Sequence, residues 1–134
     1  MSMKLYGYHR VTGTISVIIA DNTQTSTAGG WGQTSGNETD GTDGIIDRSN
    51  YGWGGIATPS TFDGTVINFQ ASTSRGGTFY NVYDESNTIL GITTAASRFT
   101  PFPARLFAVG PFFRLVCATA QAGTDTVFPF ILTT

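Results

Sequence analysis

A chain of 134 residues with 12% charged side chains and a net charge of −2 is long enough for one domain with a proper core, yet carries about half the charge of an ordinary soluble domain. Only one of its seven basic residues, Lys4, is a lysine, and no basic stripe exists to track a phosphate backbone, so nucleic acid is not an expected partner. Runs such as ISVIIA and FPFIL fall far short of the roughly 20 residues that span a bilayer, no secretory pattern is visible, and the single cysteine, Cys117, excludes an internal disulfide or a thiolate zinc cage.

Leu, Glu, Lys and Ala never assemble into a sustained i, i+3, i+4 pattern, whereas Thr, Val, Ile, Phe and Tyr recur in short runs; the chain therefore reads as all-β. In chain order the first predicted strand covers residues 11–20. Residues 22–44 hold six of the 17 glycines and no apolar side chain except Ala28 and Trp31. Such a segment cannot offset its own ordering entropy, which predicts a long Gly-rich loop or insertion in the N-terminal third. A pair of short strands is expected around 45–47 and 55–58, followed by strands over 65–72, 78–84, 88–94, 112–119 and 126–133.

Within TVINFQASTSRGGTFYNVYDE, residues 65–85, Val66, Asn68 and Gln70 point one way and Ile67, Phe69 and Ala71 the other, giving one wet and one dry face. Ser74, Arg75, Gly76 and Gly77 read as the hinge of a hairpin, the glycines supplying positive φ. After it, Phe79, Asn81 and Tyr83 alternate with Tyr80, Val82 and Asp84, a less clean partition that suggests apolar neighbours on both sides. FFRLVCA and VFPFIL are apolar on both faces, as central strands of stacked layers would be. Pro129 removes a ladder donor and places the last strand at an edge or on a bulge. Ahead of the first of these strands, TPFPARLFAVGPF reads as a crossover with one helical turn near residues 104–107.

Chemistry-bearing clusters are sparse. His9 is the only histidine and lies beside tyrosines with no carboxylate placed to orient it, so it is assigned no catalytic role. Asp84 and Glu85 are adjacent and would face opposite sides of a strand, a poor acid/base pair; turn chemistry ahead of Ser86 and Asn87 is the expected use of both. Glu38, Asp40 and Asp43 are candidate calcium ligands, but their spacing fits neither an EF-hand nor the nonapeptide repeat, and the expectation is a plain loop with no metal and no cofactor. Asn37-Glu38-Thr39 fits a glycosylation acceptor without any secretory signal to give it meaning. Arg98 and Arg114 are expected to be structural: an arginine in an apolar strand needs a partner, with Asp63, Asp84 and Asp125 as candidates, or else faces solvent at the sheet rim. Trp31, Tyr51 and Trp53 flank a Gly-rich stretch, where they either plug an interface or stack on a sugar.

From Gly55 onward, GIATPSTFDGTVINFQASTSRGGTFYNVYD, ITTAASRFTPFPARLF and FFRLVCATAQAGTDTVFPFIL resemble a family of small virion proteins of tailed bacteriophages. The residues that carry the resemblance are Gly55, Ile56, Pro59, Gly64, Thr65, Phe69, Gln70, Ser72, Tyr83, Asp84, Ala96, Ser97, Arg98, Arg114 and Gln121. It implies a jelly-roll-like antiparallel β-sandwich in the phage particle, with no enzymatic residues. The expected role is a capsid decoration, or cement, protein, made in the host cytoplasm and carried on the capsid surface of the virion.

On this reading one β-sandwich domain spans residues 1–134, binds the major capsid protein, and associates as a homo-oligomer such as a trimer. Its neutral surface offers little charge repulsion against such neighbours. Leu5, Tyr6, Tyr8, Trp31, Tyr51 and Trp53 are the side chains expected to make the contacts; no membrane partner is expected. The alternative is a carbohydrate- or receptor-binding module of a tail or baseplate, with Trp31, Tyr51 and Trp53 as its stacking platform.

Overall fold

A computed structural model of the chain describes residues 15–20, 22–29, 44–48, 51–123 and 125–133. They form an all-β, antiparallel, sandwich-like fold of ten strands: β1 (Ile15–Ile19), β2 (Thr23–Gly29), β3 (Ile46–Asp47), β4 (Trp53–Thr58), β5 (Val66–Ser72), β6 (Tyr80–Asn81), β7 (Gly91–Thr93), β8 (Arg98–Pro101), β9 (Phe112–Gln121) and β10 (Thr126–Thr133). A 3-10 turn, Ala104–Ala108, lies in the crossover before β9. His9 and Asn37 lie outside the described residues, as does the first part of the strand predicted over residues 11–20.

The strand order is β6-β5-β9-β2-β1-β10-β4-β8, with β3 also on β9 and β7 also on β5. One strand joins two layers. Thr23 and Thr25 of β2 pair with Gln121 and Val116 of β9, whereas Ser26, Ala28 and Gly29 pair with Ile19, Ile18 and Val17 of β1, and the register shifts along both ladders. Such a shift bends a strand and lets it pass from one sheet to another. Ser26 sits at the bend, fully buried; its Oγ donates to Gly44 O at 2.8 Å and accepts from Leu115 N at 3.1 Å.

This strand corrects the reading of residues 22–44 as a loop throughout. TQTSTAG has no apolar alternation, but a strand held on both edges by backbone bonds needs none: its hydrogen-bond partners, not its own side chains, order it.

The core fills the space between the layers. Val17, Ile19, Ile56, Phe128, Phe130 and Leu132 point inward from one layer, and Ile67, Phe69, Phe113, Leu115 and Cys117 from the other. Phe102, just after β8, joins them: its ring meets Phe69, Phe113 and Phe130 at centroid distances of 5.7, 5.5 and 6.5 Å. The first two are edge-to-face, the preferred geometry for aromatic quadrupoles.

Other expectations change in detail. The strands around 45–47 and 55–58 do not pair with each other; β3 lies on β9 and β4 between β10 and β8. Pro129 is neither at a sheet edge nor on a bulge. β10 runs between β1 and β4, and Pro129 pairs with Ser16 in an unbroken register, while the ladder to β4 begins only at Phe130. The proline thus sits where one of its two ladders has ended.

The hairpin of residues 65–85 is shorter than its alternation suggests. β6 contributes two paired residues, Gln70 with Asn81 and Ala71 with Tyr80, and then β7 takes over the same edge of β5. Nor does its hinge depend on positive φ, which among the described glycines occurs only at Gly44, Gly64 and Gly123. Gly77 instead lies close to two serine hydroxyls, so a Cβ there would have to displace Ser74 Oγ.

Burial pushes the Cys117 thiol up from 9.0 to about 12. The unfolded chain releases this proton near its ordinary value and the folded chain holds it, so between about pH 9 and 12 the unfolded state binds fewer protons and stability falls as pH rises. Denaturant midpoints measured from pH 8 to 10 should decline more steeply for the native chain than for Cys117→Ala. A thiol reagent at pH 8 should label Cys117 only as fast as the protein opens.

Candidate docking surface

Side chains alternate across a strand, so each layer has an outer face, and the two differ in chemistry. On the layer β1-β10-β4-β8 the outward positions are Ser16 and Ile18 on β1, and Val127, Pro129, Ile131 and Thr133 on β10. They continue as Trp53, Gly55 and Ala57 on β4, then Phe99 and Pro101 on β8. None of these carries a charge.

The register lines them up in rows across the sheet. Ile131 opposes Gly55, which opposes Pro101; Ala57 opposes Phe99; Val127 opposes Ile18; and Trp53 opposes Thr133. Gly55 makes the surface possible at its centre, since a Cβ there would lie 2.7 Å from Cε1 of Phe99. The Phe99 ring therefore rests over backbone, and it remains 63% exposed, with Trp53 at 64% and Val127 at 42%. Scattered exposed apolar residues are ordinary, whereas an uncharged sheet face bearing several of them is a candidate interaction surface.

The outer face of the other layer is mixed, with Val66 and Val116 beside Asn68, Gln70 and Arg114. Arg114 on β9 donates from Nε to Gln70 Oε1 on β5 at 2.8 Å, and Gln70 Nε2 donates to Asn81 Oδ1 on β6 at 2.9 Å. The Arg114 guanidinium also lies 4.7 Å from the centre of the Phe79 ring, a favourable cation–π distance. Thus Arg114 faces outward and is satisfied by an amide and an aromatic ring rather than buried in the core. Such a ladder needs only water to cover it.

The remaining sequence-derived candidates lie elsewhere. Leu5, Tyr6, Tyr8, Trp31, Glu38, Asp40 and Asp43 lie outside the described residues. Tyr51 is half-buried and packs against the core, so it is separated in exposure from Trp53 rather than forming a flat platform with it. Asp84 Oδ1 accepts from Ser86 N at 2.9 Å and Thr88 N at 3.0 Å, closing the turn between β6 and β7. Arg98 is exposed; its backbone N donates to Thr58 Oγ1 at 3.2 Å and its carbonyl accepts from the same hydroxyl at 2.9 Å.

Phe99, Ile131 and Val127 are the surface residues that sequence reasoning missed. Phe99 stands among prolines in what reads as a crossover, and the outward register of β10 is hidden in a run that is apolar at nearly every position. Only the adjacency of β4, β8 and β10 assembles them. Among the described residues no three His, Cys, Asp or Glu side chains cluster as metal ligands, and no helix is long and apolar enough to cross a membrane. No family model, curated protein or solved structure matches the chain.

Proposed function

We propose that the chain is a structural protein of a tailed-bacteriophage virion, a capsid decoration protein that docks on the assembled shell through the outer face of β1-β10-β4-β8. The observation that carries this reading is the asymmetry just described: one outer face is uncharged and exposes Trp53, Phe99 and Val127, whereas the other carries the hydrogen-bonded Arg114, Gln70 and Asn81. The motif order from Gly55 to the end of the sequence supports the phage assignment. The strand order supports the fold that goes with it, since β1-β10-β4-β8 in one layer and β2-β9-β5-β7 in the other follow the pattern of a jelly roll.

The shell protein is the chosen occupant because a lattice presents the same site many times over. A ligand that binds only the assembled state stabilises it by linkage, and several copies held together, as in a trimer, multiply modest contacts. The uncharged face gives no long-range steering, so the attraction is short-ranged and insensitive to salt.

Covering the exposed part of one aromatic ring, on the order of 100 Å², is worth about 2 kcal/mol. Particles lacking the protein should therefore regain heat resistance when the native chain is added. Trp53→Asp and Phe99→Asp should each bind the shells about 30-fold more weakly, or worse, while keeping their own melting temperature. Undiminished binding by both variants would reject this face, and particles equally heat-resistant with and without the protein would reject the cementing role.

A further inference from the structure

We infer that two adjoining clefts beside β6 form a binding site for a neutral oligosaccharide. The first, of about 310 Å³, is lined by Ser72, Thr73, Thr78, Tyr80, Asn81 and the chain at Val109–Gly110, among others. The second, of about 280 Å³, continues past Asp84, Glu85, Leu90 and Arg105. Val82, Tyr83 and Val109 belong to both. None of these residues lies on the apolar docking face, and the inference does not rest on that face's assignment.

The clefts exist because of the topology. At Phe69 the edge of β5 passes from one partner to the other: Val82 N donates to Phe69 O at 3.2 Å, Phe69 N to Leu90 O at 3.3 Å and Leu90 N to Val82 O at 2.7 Å. Beyond this knot the chain closes as a short hairpin, with Tyr83 opposite Ile89 and Asp84 N donating to Thr88 O at 2.9 Å; Val82 and Leu90 are buried, and the crossover segment at Val109–Gly110 forms the far wall. Gly110 allows that wall to come so near, because any Cβ there would strike the backbone of Ser72.

The lining chemistry selects the ligand. Tyr80 and Tyr83 are 70% and 52% exposed, while Val82 of the same segment is buried. A phenol ring held in this way offers a flat apolar face with a hydroxyl at its tip. Charge is largely consumed inside the site. Arg105 Nε is paired with Glu85 Oε1 at 3.0 Å, and Asp84 Oδ1 is occupied by two backbone donors. Both side chains of that ion pair are mostly exposed, so it lessens the pull on an anionic ligand without abolishing it.

Asn81 gives its Oδ1 to Gln70, which leaves Nδ2 to donate, and Thr73 and Thr78 add hydroxyls at the rim. A pyranose meets these requirements: its C–H face packs on a ring while its hydroxyls exchange hydrogen bonds with fixed neutral groups, the usual division of labour in a small-ligand site. Two joined clefts suit two successive sugars. An extended peptide suits the site less well, because β6 offers only two residues of strand edge and strand addition draws its affinity from a longer backbone ladder.

The test uses the full chain on a printed array of neutral hexose and N-acetylhexosamine oligosaccharides, with sialylated and sulfated glycans and extended peptides alongside. Binding to a neutral glycan is expected, weakened about tenfold or more by Tyr80→Ala and by Tyr83→Ala and unchanged by Trp53→Asp. The bound oligosaccharide added to the unmutated chain should also shift the NMR signals of the Asn81 side-chain amide, a readout that does not depend on any variant folding. No binding to any neutral glycan, binding confined to charged glycans or to peptides, or neutral-glycan binding that leaves Asn81 unshifted would overturn the inference. Because no shell is present, each of these results is separable from failure of the decoration role.

Discussion

Replacing Phe102 with alanine is expected to lower the unfolding free energy by about 3–5 kcal/mol, the cost of removing a large aromatic from a packed core. The reason is position. Phe102 is 5% exposed and its ring meets Phe69 and Phe113 from one layer, Phe130 from the other and Phe107 of the crossover. Its backbone N also donates to Gly54 O at 2.9 Å, which fixes the residue beside β4 so that neighbours cannot easily close the cavity. Chemical denaturation of Phe102→Ala beside Phe99→Ala separates core from surface: Phe99, three residues earlier and mostly exposed, should cost no more than about 0.5 kcal/mol. Equal losses at the two positions would mean that Phe102 does not bridge the layers.

The second large effect is expected at Gln121, a fully buried amide at the end of β9. Its Oε1 accepts from Asp63 N at 2.9 Å, and its Nε2 donates to Asp63 O at 2.8 Å and Thr119 O at 3.0 Å. Asp63 returns the contact through Oδ2, which accepts from Ala122 N at 3.0 Å. Gln121→Leu keeps the bulk and abolishes every one of the side-chain bonds. A buried backbone group left without a partner costs about 1–3 kcal/mol, so with the two groups of Asp63 only half-buried the loss should be about 2–4 kcal/mol. Gln121→Glu is the informative companion, because a carboxylate accepts but cannot donate to two carbonyls, and it should be at least as damaging at pH 7. A thermal or urea midpoint unchanged in both variants would show that water replaces the clamp.

The parts of the fold that were legible in the sequence are those in which a strand's own side chains specify it. β5 alternates Ile67 and Phe69 with Asn68 and Gln70, and the observed burial follows that alternation. β10 is bounded by the residues its composition indicates, and the helical turn falls where three prolines leave room for it. β2 was illegible because it is ordered by its neighbours' backbones and by one buried serine hydroxyl. β8 was illegible because Arg98–Pro101 reads as punctuation, and Pro101 in fact lies on a strand at the end of the sheet order, where a missing donor is tolerated.

The candidate site was less legible still. Trp53 stands out in any reading, but its companions Phe99 and Ile131 come from segments more than 40 residues away in the chain, joined only by sheet register. Tyr80 and Tyr83 are visible as an irregular alternation, which suggested apolar cover on both sides; both rings remain in solvent while Val82 alone is covered. Sequence reports what a side chain is, and a surface depends on which strands stand next to each other.

The passage of β2 from one layer to the other gives the molecule a spine. With the layers continuous there and separate at the terminal strands β6 and β8, thermal breathing cannot part them evenly, and any opening must begin at the fore-edge, as pages part in a bound volume. The Phe102 ring is the clasp on that side, so loosening it would admit water to the aromatic interior before the bent strand had lost a single backbone bond.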